Sequence, residues 1–252
     1  MSNLAVSLLV LVCVFGGALL GIFLRRTLPQ DHLSSESKST VNLAIGLVAT
    51  LAALVLGLVV SAAASSFFAQ RDEWNQVCAK IVVLDRVLDH YGPAAQKARQ
   101  QLREVVEDIL YRMWPQERVP GSNVPQKISD PEAVYESIQR LSPQSEEQRD
   151  LKHDALGIAL EIGRTRWMMF VQQTSPLPTP FLVIVVFWIT VVYMSFGLYA
   201  PRNATVIVAL LLGALSVAGA IVLIMELYSP YSGGIIHISS LPLRSALAEM
   251  GK

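Results

Sequence analysis

Charge is scarce in this chain. Only 16% of its 252 residues are Asp, Glu, Lys or Arg, against roughly a quarter in an ordinary soluble domain. Cysteine is nearly missing: Cys13 lies in an apolar run and Cys78 in a polar stretch, so no disulfide between them is expected. Histidine is as thin, with His32, His90, His153 and His237 scattered and neither His-x-x-x-His nor Cys-x-x-Cys present. A dedicated transition-metal site is not expected. Glycine-rich phosphate loops and hydrolase or kinase motifs are also missing, so the sequence offers no catalytic residues, implies no cofactor and reads as no enzyme. An excess of either charge sign is lacking too. Twenty bases balance 20 acids, which leaves no basic surface for nucleic acid and no acidic tail for a cationic partner.

What charge there is sits in one place. Of the 40 charged residues, 30 lie between Arg71 and Arg166. On either side are apolar runs long enough to cross about 30 Å of hydrocarbon, which takes roughly 20 helical residues. Strand-like alternation is missing from them, which excludes a membrane barrel. The expected fold class is an all-α membrane protein with four transmembrane helices and a helical bundle inserted between the second and third. Residues 1–69 hold helices at about 4–24 and 41–66, and residues 70–175 the bundle. Residues 176–228 hold helices at about 181–200 and 204–226, and residues 229–252 a C-terminal segment on the membrane surface. The first run has no base before it and Arg25-Arg26 directly after it, the pattern of an uncleaved anchor and not of a signal peptide. Arg25, Arg26, Lys38 and Arg202 lie in the short loops, and the positive-inside bias there leans toward a central block outside the cytoplasm.

The second run continues past the membrane. Trp74, Val77, Ile81, Leu84, Leu88 and Tyr91 follow at alternating spacings of three and four, the seam of a coiled coil. Gly92-Pro93 stops that helix. The seam is first of all bundle core; alternatively Trp74, Val77, Ile81, Leu84 and Leu88 form an interface with a second copy. Further apolar faces are Ala98-Leu102-Val105-Ile109-Met113, a short helix with Val134, Ile138 and Leu141 after an Asp130-Pro131 start, and Leu151-Ala155-Ile158-Ile162-Thr165-Met169. The last belongs to a helix opened by Ser142-Pro143 and reaching about Gln173. A proline-rich loop is expected over 115–129.

Several local strings then carry a resemblance. They are Arg25-Arg26-Thr27-Leu28-Pro29, Gly46 through Leu58, Leu84 through Pro93, and Thr165-Arg166-Trp167. More specific are Ser195-Phe196-Gly197-Leu198-Tyr199-Ala200-Pro201-Arg202-Asn203-Ala204-Thr205, Ala214 through Val217, and Ile238-Ser239-Ser240-Leu241-Pro242-Leu243-Arg244. Over nearly its whole length the chain resembles a bacterial membrane-protein family of unknown function described as bestrophin-like. The resemblance implies the plan of bestrophins, which are pentameric anion channels with four membrane helices per subunit and a helical cytoplasmic domain. That plan puts the central block inside, against the loop charges. The chain departs from the family pattern after Glu226, where an acid and Pro-Phe are expected and Leu227-Tyr228-Ser229-Pro230-Tyr231 stand.

On the second membrane helix Asn42, Gly46, Thr50, Ala53, Gly57, Ser61 and Ser65 share one face, and Phe68 closes it. A small, weakly polar stripe suits close helix packing, or a pore with Phe68 as an apolar constriction. Glu226, an acid at the end of the fourth helix, is either hydrogen-bonded at the headgroup boundary or a contact for a cation or proton. Arg166 and Trp167 suit a membrane interface. Gly17 and Gly21 form a weak GxxxG packing signal. Leu243, Leu247 and Met250 give the C-terminal segment an apolar face. The expected function is a multi-pass, homo-oligomeric protein of the bacterial inner membrane, in contact with lipid and conducting inorganic ions, anions by resemblance. The alternative is a non-conducting sensor or scaffold whose block binds a partner.

Overall fold

A computed structural model describes residues 3–27, 35–114, 130–173, 179–201, 203–228, 230 and 236–250. The loop expected over 115–129 lies outside them. Among the described residues every regular element is helical: α1 (Asn3–Thr27), α2 (Ser35–Tyr91), α3 (Gln96–Met113), α4 (Pro131–Gln139), α5 (Glu146–Gln173), α6 (Thr179–Tyr199), α7 (Ala204–Tyr228) and α8 (Leu241–Glu249). A 3-10 turn, Pro93–Ala95, joins α2 to α3. Among the described residues four stretches are long and apolar enough to cross a membrane, namely Ala5–Thr27, Ser39–Tyr91, Pro180–Tyr199 and Ala204–Tyr228. The second belongs to a helix of 57 residues, because no residue between the apolar run and Tyr91 breaks the ladder. Gly92 does so, with φ 104° and ψ −167°, a region essentially reserved for glycine that costs other L-residues roughly 1–3 kcal/mol.

The chain divides into two compact units. One joins Met1–Phe67 with Pro176–Ser229; the other joins Phe68–Ser175 with Pro230–Lys252. In the first, α1 packs along α6 and α7. Lipid gives apolar side chains no reason to leave it, so close backbone approach holds such helices together. The α1–α6 crossing is built on it. A Cβ added at Gly21 would run into the Met194 carbonyl, and one at Gly197 into the Ala18 carbonyl. At Gly17 it would stand 2.8 Å from Thr190 Cγ2. Val10, Val14 and Ala18 of α1 are buried, as are Val185, Ile189 and Val192 of α6. Arg25 donates from Nη1 to the Ala200 carbonyl at 2.5 Å, satisfying an acceptor left open at the end of α6.

The second unit is the polar block. Its core takes Trp74, Val77, Ile81, Leu84, Leu88 and Tyr91 from α2, and Ala98, Leu102, Val105 and Val106 from α3, all buried. Trp74, Val77, Ile81, Leu84 and Leu88 therefore spend their apolar surface inside their own subunit. Of the two readings of this seam, bundle core is the one their burial supports. On α4, Asp130 caps as its sequence predicts, its carboxylate accepting from the Glu132 amide at 2.9 Å. The start of α5 differs from the expected Ser142-Pro143. The helix begins at Glu146, after Ser145 Oγ accepts from the Gln148 amide at 3.1 Å. Ser145-Glu146-Glu147-Gln148 is the sequence of a capping box, a stronger start than the serine before Pro143. Lys152 Nζ donates to the carbonyls of Gln139 and Leu141, each at 2.7 Å, where α4 ends.

The C-terminal segment carries its apolar face into the block. It clusters with the polar block, where α8 packs on α3. Leu243, Ala246 and Met250 are buried and Leu247 is half-buried. Trp114 Nε1 donates to the Ile238 carbonyl at 2.9 Å, and Arg86 pairs with Glu249 at 3.5 Å. The apolar face read from the sequence is real, but protein covers it.

Candidate functional site

Within the membrane unit α2 has three distinct faces. Ala52, Val59, Ala63 and Phe67 are buried. Asn42, Gly46, Thr50, Ala53, Gly57, Ser61, Ser65 and Phe68 are all exposed. One residue on, or about 100° around the helix, Leu43, Leu47, Leu51, Leu54 and Leu58 form an exposed leucine face. The small, weakly polar stripe thus plays no part in packing within the subunit. Its glycines differ from Gly17 and Gly21 of α1, since a Cβ added at Gly46 or Gly57 meets nothing within 4 Å. Thr50 Oγ1 donates back to the Gly46 carbonyl at 2.9 Å, which satisfies the hydroxyl without a second helix. Phe68 is 55% exposed at the end of the stripe, while its neighbour Phe67 is buried.

The remaining sequence candidates do not gather into one place. Glu226 is half-buried in the last turn of α7. Arg166 and Trp167 are exposed on α5, Trp167 at 66%. Among the described residues no group of three or more His, Cys, Asp and Glu could hold a metal ion. Cys78 is buried in the block, and burial pushes its thiol up to about 12, which leaves almost no reactive thiolate near neutral pH.

Three structural anchors were not singled out from the sequence. Asp85, 3% exposed, takes a bidentate contact from Arg99, with Nε at 2.9 Å and Nη2 at 3.0 Å. Arg99 also pairs with Asp89. Hydrogen bonding to Asp85, with the two nearby carboxylate charges, raises the Arg99 guanidinium above its ordinary range. This knot fastens the end of α2 to α3 across the Gly92 turn. The hint was an aspartate in a helical seam next to a leucine, a position that demands a cation. Gln70, buried at 5%, continues the series Ala63, Phe67, Gln70, Trp74, so the seam begins before Trp74. Arg25 reads in the sequence as a topology signal, and its role at the end of α6 has no signature there.

A long continuous helix, two apolar helices following the inserted bundle, and a C-terminal helix returned to that bundle form a specific plan. The bestrophin-like domain family matches residues 12–243. The chain belongs to the bestrophin-like family. Solved structures carry the same fold. A substituted form of a bacterial bestrophin homologue from Klebsiella pneumoniae is 16% identical, with a TM-score of 0.67 over 100% of this chain and 99% of that chain. The homologue solved by Zn-SAD phasing is 15% identical, with a TM-score of 0.63 over 94% and 98%. A structure described only as a membrane protein is 15% identical, with a TM-score of 0.67 over 97% and 98%. No functionally curated protein matches the chain. The bestrophin-like plan accounts for the four apolar helices and for the insertion between the second and third.

Proposed function

We propose that several copies of this bestrophin-like chain assemble around an ion pathway in the bacterial inner membrane, lined by the small, polar face of α2, and that it is no enzyme. One observation carries the reading: all eight residues of that stripe are exposed in the single subunit, while Ala52, Val59, Ala63 and Phe67 on another face are buried. A stripe of Asn, Thr, Ser and Gly gains nothing from facing lipid, and its own subunit does not use it. Water in a shared pore satisfies these groups, and the adjacent leucine face provides apolar surface for a neighbour or for lipid. Phe68 closes the stripe and supplies an apolar ring when repeated around an axis. Bestrophins, which the chain resembles, make anions the first ions to test. Their plan also places the polar block on the cytoplasmic side.

The test is conductance of the purified protein in planar bilayers under chloride gradients. Phe68→Ala is expected to raise open conductance. Gly57→Leu is expected to abolish current while the oligomer stays intact in detergent. Silence of the parent protein at every voltage, salt gradient and pH would sink the channel and favour a non-conducting scaffold.

A further inference from the structure

Helices α2, α3, α4 and α5 of the polar block surround a cavity of about 560 Å³, within the range of about 300–1,000 Å³ of small-molecule sites. Its walls are mainly apolar, with Val77 and Ile81 from α2, Leu102 and Val105 from α3, and Ile162 from α5. Polar features interrupt them at two places. Trp74 lines the cavity, is 5% exposed, and its indole Nε1–H has no acceptor among the described residues. A buried donor left in that state is costly. Arg164 and Arg166 also line the cavity and are exposed, which puts them at its mouth. Neither has an acidic partner among the described residues. Two acids share the lining, and they do not cancel this charge. Glu136 is taken by Arg140 at 2.7 Å, so the lining holds two exposed arginines and one further acid, Glu132.

We infer that this cavity is a binding site for a single-chain anionic amphiphile, with the acyl chain between α2, α3 and α5 and the headgroup at the arginine rim, on Arg164 or Arg166. Guanidinium groups match carboxylate and phosphate oxygens in two-pronged geometry. The apolar wall takes the chain, which has nowhere better to go in water. A free long-chain carboxylic acid and a lysophospholipid present this same chemistry. The site is separate from the α2 stripe and does not depend on ion conduction.

The probe is palmitic acid bearing a diazirine near its methyl end, added to the full-length protein in nanodiscs, with adducts mapped by mass spectrometry. Adducts are expected on the α2 and α3 segments that carry Ile81 and Val105, and unlabelled competitor should displace them. Displacement by palmitic acid alone assigns the site to the free acid. Displacement by lysophosphatidylglycerol alone assigns it to the lipid, and either result supports the site. The double variant Arg164→Ala/Arg166→Ala, altered only at exposed positions, is expected to weaken labelling by at least about tenfold, the loss of one charge-assisted contact. Ala159→Leu, which narrows the cavity, should remove labelling at an unchanged melting midpoint. Adducts confined to the membrane helices, labelling that no competitor displaces, or labelling that survives both variants would overturn the assignment. So would an absence of adducts because a neighbouring copy fills the cavity.

Discussion

Glycine carries two opposite meanings in this protein, and the difference lies in what stands beside each missing Cβ. At Gly21 the Met194 backbone occupies the place. Backbone cannot rotate away, so Gly21→Leu must push α1 off α6, and overpacking of this kind costs about 1–3 kcal/mol or more. We expect Gly21→Leu to lose the monodisperse peak on size-exclusion chromatography and to be degraded in cells. Gly46 faces open space in the subunit, and Gly46→Leu should leave the subunit fold and its melting midpoint nearly unchanged. If the two variants behaved alike, the division of α2 and α1 into an outer and an inner face would be wrong. The GxxxG of Gly17 and Gly21 was visible in the sequence. Its partner Gly197 was not, because only packing pairs residues so far apart in the chain.

At the scale of the element, α2 decides most. Its seam from Trp74 to Tyr91 was legible because the three-and-four spacing survives as burial almost residue for residue. Whether that face met its own chain or another copy was not legible, since the spacing looks the same in both cases. The knot of Arg99 with Asp85 and Asp89 ties this helix to α3. Asp85→Ala leaves Arg99 without its bidentate partner in a largely buried setting, and breaking such a pair costs roughly 3–5 kcal/mol when both charges are buried. Arg99 is 23% exposed, so a smaller loss, roughly 2–3 kcal/mol, is expected. The check is a lower thermal midpoint with helix content kept in the cold. Replacing the exposed pair Arg140–Glu136 (73% and 58% exposed) should shift the midpoint little. The α8 face shows the limit of reading one element alone, because protein and lipid headgroups ask for the same amphipathic pattern.

For the whole molecule the open quantity is its direction in the membrane. Four crossings place both termini and the polar block on one side. The bases of the short loops lean toward a block outside, whereas the bestrophin plan puts it inside. Arg25 shows why those charges are weak witnesses: its place is fixed by the Ala200 carbonyl it serves, whatever its value as a topology signal. With Cys13 and Cys78 replaced, His153→Cys puts a thiol at a position whose side chain is 91% exposed. Labelling by a membrane-impermeant maleimide is expected only after cells are broken. Labelling of intact spheroplasts would reverse the orientation and restore the lean of the loop charges.

The sequence by itself determined the four crossings, the helical insertion, the helix running from bilayer into block, the family, and most of each core face. These follow from apolar length and period, which are local properties of the chain. Only the tertiary structure decided which face of α2 is spent inside the subunit and that α8 rejoins the block. It also decided that the α1–α6 crossing rests on glycines set against backbone, and that Asp85 has a cation waiting for it. Each of these depends on what lies opposite a residue, and a pattern along one strand of chain records a face without recording its partner.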